Sequence, residues 1–378
     1  MPAVDRSPFV SSPGTVVVKV GTNVLADAAG TLDAARIQSL ADQIQRARAN
    51  GWRVVLVSSG AIGAGVGQLK LGSRPTDLPH LQACAAVGQT ALMQLYQTAL
   101  APHGILPAQI LLIASDFDHR TRYLNVRNTI STLFEYGCLP VINENDTVSV
   151  AEIKFGDNDH LAAMVANLLQ APLLVLLTNV DGLYNGDPRT DPTAVLVPTV
   201  PHIDRSVTDL AQETKSALGT GGMKSKLKAA RLATAAGGAV IMANGSRDGV
   251  LDDVLGGEAV GTLFLPHGEG VPALKRWIGY TARPKGTLTV DDGAKRAVAE
   301  KGRSLLPVGV RGVAGNFGKG DLVTVVDSAG VEVARGLSNY SAADAARIAG
   351  LDRAQIVTVL GKVPYDELIH RDNLVVIK

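Results

Sequence analysis

Apolar runs and amphipathic stretches alternate along the first two-thirds of the chain. TVVVKV (Thr15–Val20) and RVVLVS (Arg53–Ser58) read as buried strands. Between them, Ala34–Asn50 places Ile37, Leu40, Ala41 and Ile44 at helical spacing, with Asp33 positioned to cap its start and Gly51 to close its end. A glycine-rich turn follows the second strand, and then a long helix from Leu78 to Ala101. Ile105–Ile113 and Leu139–Ile142 read as strands flanking a helix over Arg122–Tyr136. His160–Leu169 is helical, Leu173–Leu177 a strand, Lys224–Ala236 a helix, and Ala239–Met242 closes the pattern. Such alternation predicts βαβ units and a mainly parallel central sheet covered on both faces. In that architecture ligands bind beyond the carboxyl ends of the strands.

The texture changes at PHGEGVP (Pro266–Pro272). Beyond Ile278 the apolar runs shorten and turn signals crowd, with strands expected at Thr287–Val290, Leu322–Asp327 and Val331–Leu337. The expected organisation is a loose Pro- and Ser-containing tail over 1–14, an α/β unit over 15–265 and a linker over 266–284. A small β-rich domain over 285–364 and a terminal extension over 365–378 complete it.

Composition agrees. Hydrophobic residues make up 46%, aromatics only 4%, and there are 40 glycines, which suits small-residue helices on a parallel sheet. A net charge of +1 gives no global field toward nucleic acid or a membrane surface. The two cysteines, Cys84 and Cys138, lie in apolar runs and form no disulfide framework, as expected of reduced thiols in a cytoplasmic protein. The start of the chain has no apolar signal region, and no apolar run reaches transmembrane length.

Polar residues collect just past the strand ends. Lys19 interrupts an apolar strand, where it either snorkels or reaches an anion; Gly21 after it favours the anion. Ser58–Gly65 (SSGAIGAG) is either a flexible turn or a loop whose backbone N–H groups approach an anion. Asn143–Asp146 (NEND) and Phe155–Asp159 (FGDND) crowd acids and amides, enough to grip an ammonium group, order a lysine or stand near Mg²⁺. Gly219–Lys226 (GTGGMKSK) resembles a phosphate loop entering a helix but misses the Walker A spacing at Met223. The seven histidines show no metal-ligand spacing, and neither a Gly-x-Ser-x-Gly elbow nor a Cys-x-x-Cys pair occurs. Two lysines, glycine-rich loops and a carboxylate cluster suit phosphoryl transfer, which asks for positioning and charge neutralisation. A carboxylate acceptor, ionised at neutral pH, would need no general base.

VVVKVGTNVL, LVSSGAIGAG, PVINENDTVS, FGDNDHLAA, LLTNVDGLY and GTGGMKSKLKAA, in this order over Thr15–Phe264, resemble the glutamate-phosphorylating members of the amino-acid kinase family. The segment from Lys285 to Val363 is similar to a PUA domain. The resemblance implies a three-layer αβα sandwich and ATP-dependent phosphorylation of the glutamate side-chain carboxylate, the first step of proline synthesis, with Mg²⁺. It implies that Lys19 and Lys226 flank the transferred phosphoryl and that Asp159 holds them. Ser59, Asp146 and Asn158, with Asn143 and Asp157 nearby, would bind glutamate. Thr178 and Asn179, with Thr220, Gly221, Gly222, Met223, Lys224, Ser225 and Lys226, would line the ATP site. Asn179 stands where the family often has Asp, with Asp181 two residues on. Dimers or tetramers and feedback inhibition by proline are implied as well. The rival readings are an amino-acid kinase acting on acetylglutamate or aspartate, and an RNA-binding protein of the PUA type.

Overall fold

The computed structural model describes residues 4–26, 31–149, 158–188, 190–211, 222–267, 273–361 and 365–377. The chain forms two compact units, Met1–Gly270 and Val271–Lys378.

The first unit contains β1 (Thr15–Val20), β2 (Arg53–Ser58), β3 (Pro107–Leu112), β4 (Leu139–Glu144), β5 (Leu173–Thr178), β6 (Thr199–Val200), β7 (Ala239–Asn244) and β8 (Thr262–Phe264). Its helices are α1 (Ser7–Val10), α2 (Thr22–Leu25), α3 (Ala34–Ala49), α4 (Ala61–Gln68), α5 (Leu78–Leu100), α6 (Ala114–Asp118), α7 (Arg120–Glu135), α8 (Asn158–Leu169), α9 (Arg205–Asp209), α10 (Met223–Ala235) and α11 (Val250–Gly256). The strands form one sheet in the order β3-β4-β2-β1-β5-β7-β8-β6. Every pairing is parallel except that of β7 with β8. The mainly parallel αβα sandwich expected from the sequence is therefore present.

Strand alternation divides the β1 side chains. Val16, Val18 and Val20 join a core with Ile37, Leu40 and Ile44 of α3, Leu92 and Tyr96 of α5, and Val250 and Leu251 of α11. The next residues along the strand, including Lys19, face the opposite layer, where α8 packs on β1 and α10 packs on α8. Asp33 caps α3 as its sequence position predicts, accepting from Ala35 and Arg36 backbone N–H groups.

The glycine-rich stretch after β2 differs from the expected turn. Only Gly60, at φ +104°, turns the chain; Ala61–Gln68 is helical. Its glycines serve a close helix crossing. A Cβ on Gly65 would lie 1.8 Å from the Cys84 carbonyl oxygen of α5, and one on Gly88 would lie 1.8 Å from that of Ala61. The backbones of α4 and α5 approach to a distance no larger residue permits.

The expected loose tail also differs. Ser7–Val10 is helical, and the buried Arg6 donates to the carbonyls of Glu258, Val260 and Gly261 beside β8. A buried guanidinium with this many acceptors fixes the segment's path.

The second unit runs α12 (Ala273–Arg276), β9 (Gly286–Val290), α13 (Asp292–Ala299), β10 (Val310–Gly315), β11 (Leu322–Val326), β12 (Glu332–Leu337), α14 (Ala342–Ile348), α15 (Arg353–Leu360) and β13 (Leu374–Val376). Its sheet has the order β10-β9-β11-β12-β13 around a separate core that includes Leu288, Val323, Ile348 and Leu368. Residues expected in the linker belong here: Trp277 and Ile278 are buried, and Arg335 donates to the Gly279 carbonyl. Residues expected in the terminal extension do too, since β13 pairs with β12. Cys84 is buried, whereas Cys138 is only half-buried. Among the described residues no helix is long and apolar enough to cross a membrane.

Candidate active site

Three charged side chains meet beneath the carboxyl ends of β1 and β5. Lys19 Nζ lies 2.7 Å from Asp159 Oδ1, and Lys226 Nζ lies 3.0 Å from Asp159 Oδ2. Ser225 Oγ, beside Lys226, is 3.3 Å from the same Oδ2. Asp159 is 0% exposed, Lys19 5% and Lys226 7%. Three elements supply these residues: Lys19 from β1, Asp159 from the first turn of α8, and Ser225 and Lys226 from the first turn of α10. Gly222 caps α10 without a side chain, so the positive end of that helix coincides with the Lys226 charge.

Burial alone would raise the Asp159 carboxyl. The charges of Lys19 and Lys226, and their hydrogen bonds, outweigh burial and hold it well below the usual carboxylate range. One carboxylate shared by two lysines leaves the trio with net positive charge. A buried excess cation is costly unless an anion completes it.

A second group lies across the ends of β2 and β4. Asn158, the residue before Asp159, directs its Nδ2 to the Ser58 carbonyl, Ser59 Oγ and Asn143 Oδ1, each at 2.9 Å. Its Oδ1 is buried and has no hydrogen-bond partner among the described residues. Because Asn158 and Asp159 are consecutive, the amide group and the lysine trio are joined through one turn of α8.

The other expected residues lie as follows. Asp146 is half-buried in the turn after β4, and Thr178 ends β5, buried, with its hydroxyl 3.4 Å from the exposed Asn179 Oδ1. Asp181 accepts from Asn244 Nδ2 at 2.9 Å and from Tyr184 OH at 3.0 Å, which joins the segment after β5 to the end of β7. Met223 is half-buried and Lys224 exposed on α10. Asp157, Thr220 and Gly221 lie outside the described residues.

Several contributors were not singled out from sequence. Gln89 of α5 accepts from Asn143 Nδ2 at 2.9 Å and donates to Gln109 of β3 at 3.0 Å. Tyr96 of α5 shares a 2.8 Å hydrogen bond with Ser58 Oγ. The available signal was the seven-residue spacing of Gln82, Gln89 and Tyr96 within one long helix.

The fold and this arrangement of lysines define a phosphoryl-transfer class, and the chain belongs to the amino acid kinase family, whose model matches residues 14–244. A PUA domain model matches residues 286–360. Within the family its relatives are glutamate 5-kinases. That of Myxococcus xanthus is 50% identical over 96% of this chain and 96% of its own. That of Pelobacter propionicus is 47% identical, covering 96% and 97%. That of Syntrophus aciditrophicus is 46% identical, covering 99% and 97%. Among solved structures, carbamate kinase from Giardia lamblia aligns with 68% of this chain and 100% of its own at 19% identity and TM-score 0.49.

Proposed function

We propose that the protein transfers the γ-phosphoryl group of ATP to the side-chain carboxylate of L-glutamate, giving ADP and L-glutamyl 5-phosphate. The observation that carries the reading is the Asp159 carboxylate with Lys19 on one oxygen and Lys226 on the other. The glutamate 5-kinase relatives supply the substrate.

The acceptor carboxylate, with a reference pKa of about 4.3, is ionised at neutral pH and attacks without a base. The difficulty is bringing two anions together. Lys19 and Lys226 neutralise the charge that spreads over the transferring group and its flanking oxygens. Asp159 orients both ammonium groups before ATP arrives. The α10 N-terminus adds its dipole on the side of Lys226.

Glutamate recognition falls to Ser59, Asn143, Asn158, Asp146 and Asp157. Asn158 Oδ1 is a buried acceptor suited to an ammonium N–H. Thr178, Asn179 and the Thr220–Lys226 segment line the nucleotide side. Among the described residues no three His, Cys, Asp or Glu side chains converge as a metal site. Both Asp159 oxygens are engaged by lysines. Mg²⁺, arriving with ATP, would supply further charge neutralisation beside Lys19 and Lys226. Proline, which carries the same α-carboxylate and an amine, would share the glutamate contacts. Two free thiols are in keeping with a cytoplasmic setting for this reaction.

The test is ATP-dependent hydroxamate formation with hydroxylamine as the acyl-phosphate trap. Glutamate should give the hydroxamate, and aspartate and acetylglutamate much less. Equal or faster turnover of either competitor would reject the substrate assignment.

A further inference from the structure

The helix α5 carries three polar residues seven positions apart, Gln82, Gln89 and Tyr96. Two helical turns span about 7.2 residues, so the three lie along one face. Each holds a different segment near the amide group. Gln82 Nε2 donates to the Ser149 carbonyl at 3.2 Å, Gln89 Oε1 accepts from Asn143, and Tyr96 OH pairs with Ser58 Oγ.

Backbone partners fix the direction of the hydrogen bonds. The Glu144 N–H can only donate, and it donates to Asn143 Oδ1 at 2.9 Å. Asn143 must then turn its Nδ2 toward Gln89, which must present Oε1 and give its own Nε2 to Gln109 Oε1. At the other end, the Ser58 carbonyl can only accept, so Asn158 presents Nδ2 to it and to Asn143. The chain Gln109–Gln89–Asn143–Asn158 thus runs in one sense, and its final oxygen, Asn158 Oδ1, is the buried acceptor left without a partner among the described residues.

Resting on the proposed function, we propose that Gln89 is a positioning residue for glutamate recognition: it accepts from the buried Asn143 amide and so keeps Asn143 and Asn158 oriented with Asn158 Oδ1 presented to the substrate ammonium. Asn143 is 2% exposed. Without Gln89 its Nδ2 is a buried donor lacking its partner, which favours rotation of the amide away from Asn158. Among the hydrogen bonds of the described residues, Gln109, Gln89, Asn143 and Asn158 bond to one another and to the β2 end, and the ion pairs of Lys19 and Lys226 are to Asp159, so the effect falls on glutamate binding and spares the transfer step.

The experiment measures hydroxamate kinetics of the full chain as wild type, Gln89→Met, Asn143→Ala and the double variant. Met preserves the length of Gln while removing its acceptor. The expected result is a glutamate KM raised roughly tenfold in Gln89→Met, with kcat and the ATP KM nearly unchanged, the size of one lost buried hydrogen bond. In the Asn143→Ala background, Gln89→Met should add nothing, because the interaction it removes is already absent. An unchanged glutamate KM, a parallel loss in kcat and ATP affinity, or full additivity would overturn the proposal. Should Gln89→Met not fold, Gln109→Met on the edge strand removes the acceptor of Gln89 and should shift the glutamate KM in the same direction; no shift there would overturn it equally. Wild-type turnover of glutamate reads the proposed function separately, since only the ratio of variant to wild type reports on Gln89.

Discussion

Lys19 and Lys226 occupy opposite oxygens of one carboxylate, 2.7 Å from Asp159 Oδ1 and 3.0 Å from Asp159 Oδ2. The two lysines come from the sheet and from the helix layer, and neither could hold its position in a dry site alone. Asp159 compensates part of the charge and fixes the separation of the ammonium groups. Within this trio the two lysines outnumber the one carboxylate.

The first prediction concerns acid stability. Folding depresses the Asp159 pKa, so its carboxylate stabilises the protein at every pH above its ordinary value of 3.8. The contribution fades as pH falls from there through the lower folded value. Chemical denaturation at points from about pH 6 to about pH 3 should show a steeper loss in wild type than in Asp159→Asn. At neutral pH, Asp159→Asn should be less stable by about 3–5 kcal/mol, the cost of leaving buried charge unpaired. Identical slopes for the two proteins would contradict this account.

The crossing of α4 over α5 gives a second prediction. Gly88→Ala places a methyl group against the Ala61 carbonyl at the start of α4, and Ser59 lies two residues before that point. Destabilisation of about 1–3 kcal/mol is expected from overpacking. The glutamate KM should rise more than the ATP KM, as Ser59 is displaced. Thermal melting and steady-state kinetics of Gly88→Ala would show whether both occur; an unchanged Tm would mean the helices separate freely.

A third prediction follows from the two cores. Residues 1–270 contain all the residues assigned to chemistry and an apolar cluster of their own. A chain ending at Gly270 should melt cooperatively and form glutamyl hydroxamate at a rate within a few-fold of the full chain. A soluble truncation without activity would refute the modular reading.

Proline supplies a fourth. Sharing the amine and α-carboxylate contacts of glutamate, it should raise the apparent glutamate KM and leave kcat unchanged. Inhibition that is independent of glutamate concentration would place its site elsewhere.

Much of this was legible in the sequence because single residues carried the signal. Lys19 stands out inside an apolar strand, and a buried cation requires a partner. Met223–Ala235 starts where the glycines end. The relay through Gln89 was not legible, because its partners Asn143 and Gln109 are remote in sequence, and the seven-residue spacing of Gln82, Gln89 and Tyr96 marks a shared helix face without saying what it meets. The glycines of Ser58–Gly65 were ambiguous for a different reason. Small residues serve an anion loop and a close helix crossing alike, and only Gly88 on the facing helix distinguishes them. Arg6 gave no warning that the N-terminal segment docks, since its acceptors are the main-chain carbonyls of Pro198, Glu258, Val260 and Gly261.

The most direct test is single-turnover transfer of labelled γ-phosphoryl from ATP to glutamate, measured in wild type, Lys19→Met and Lys226→Met at saturating substrates. Each variant keeps one lysine on Asp159 and should remain folded by thermal melting. The account predicts that transfer slows by about 10²–10³ in each, the usual loss on removing one preorganised charge donor. A folded variant of either lysine that transfers phosphoryl within about threefold of wild type would contradict it.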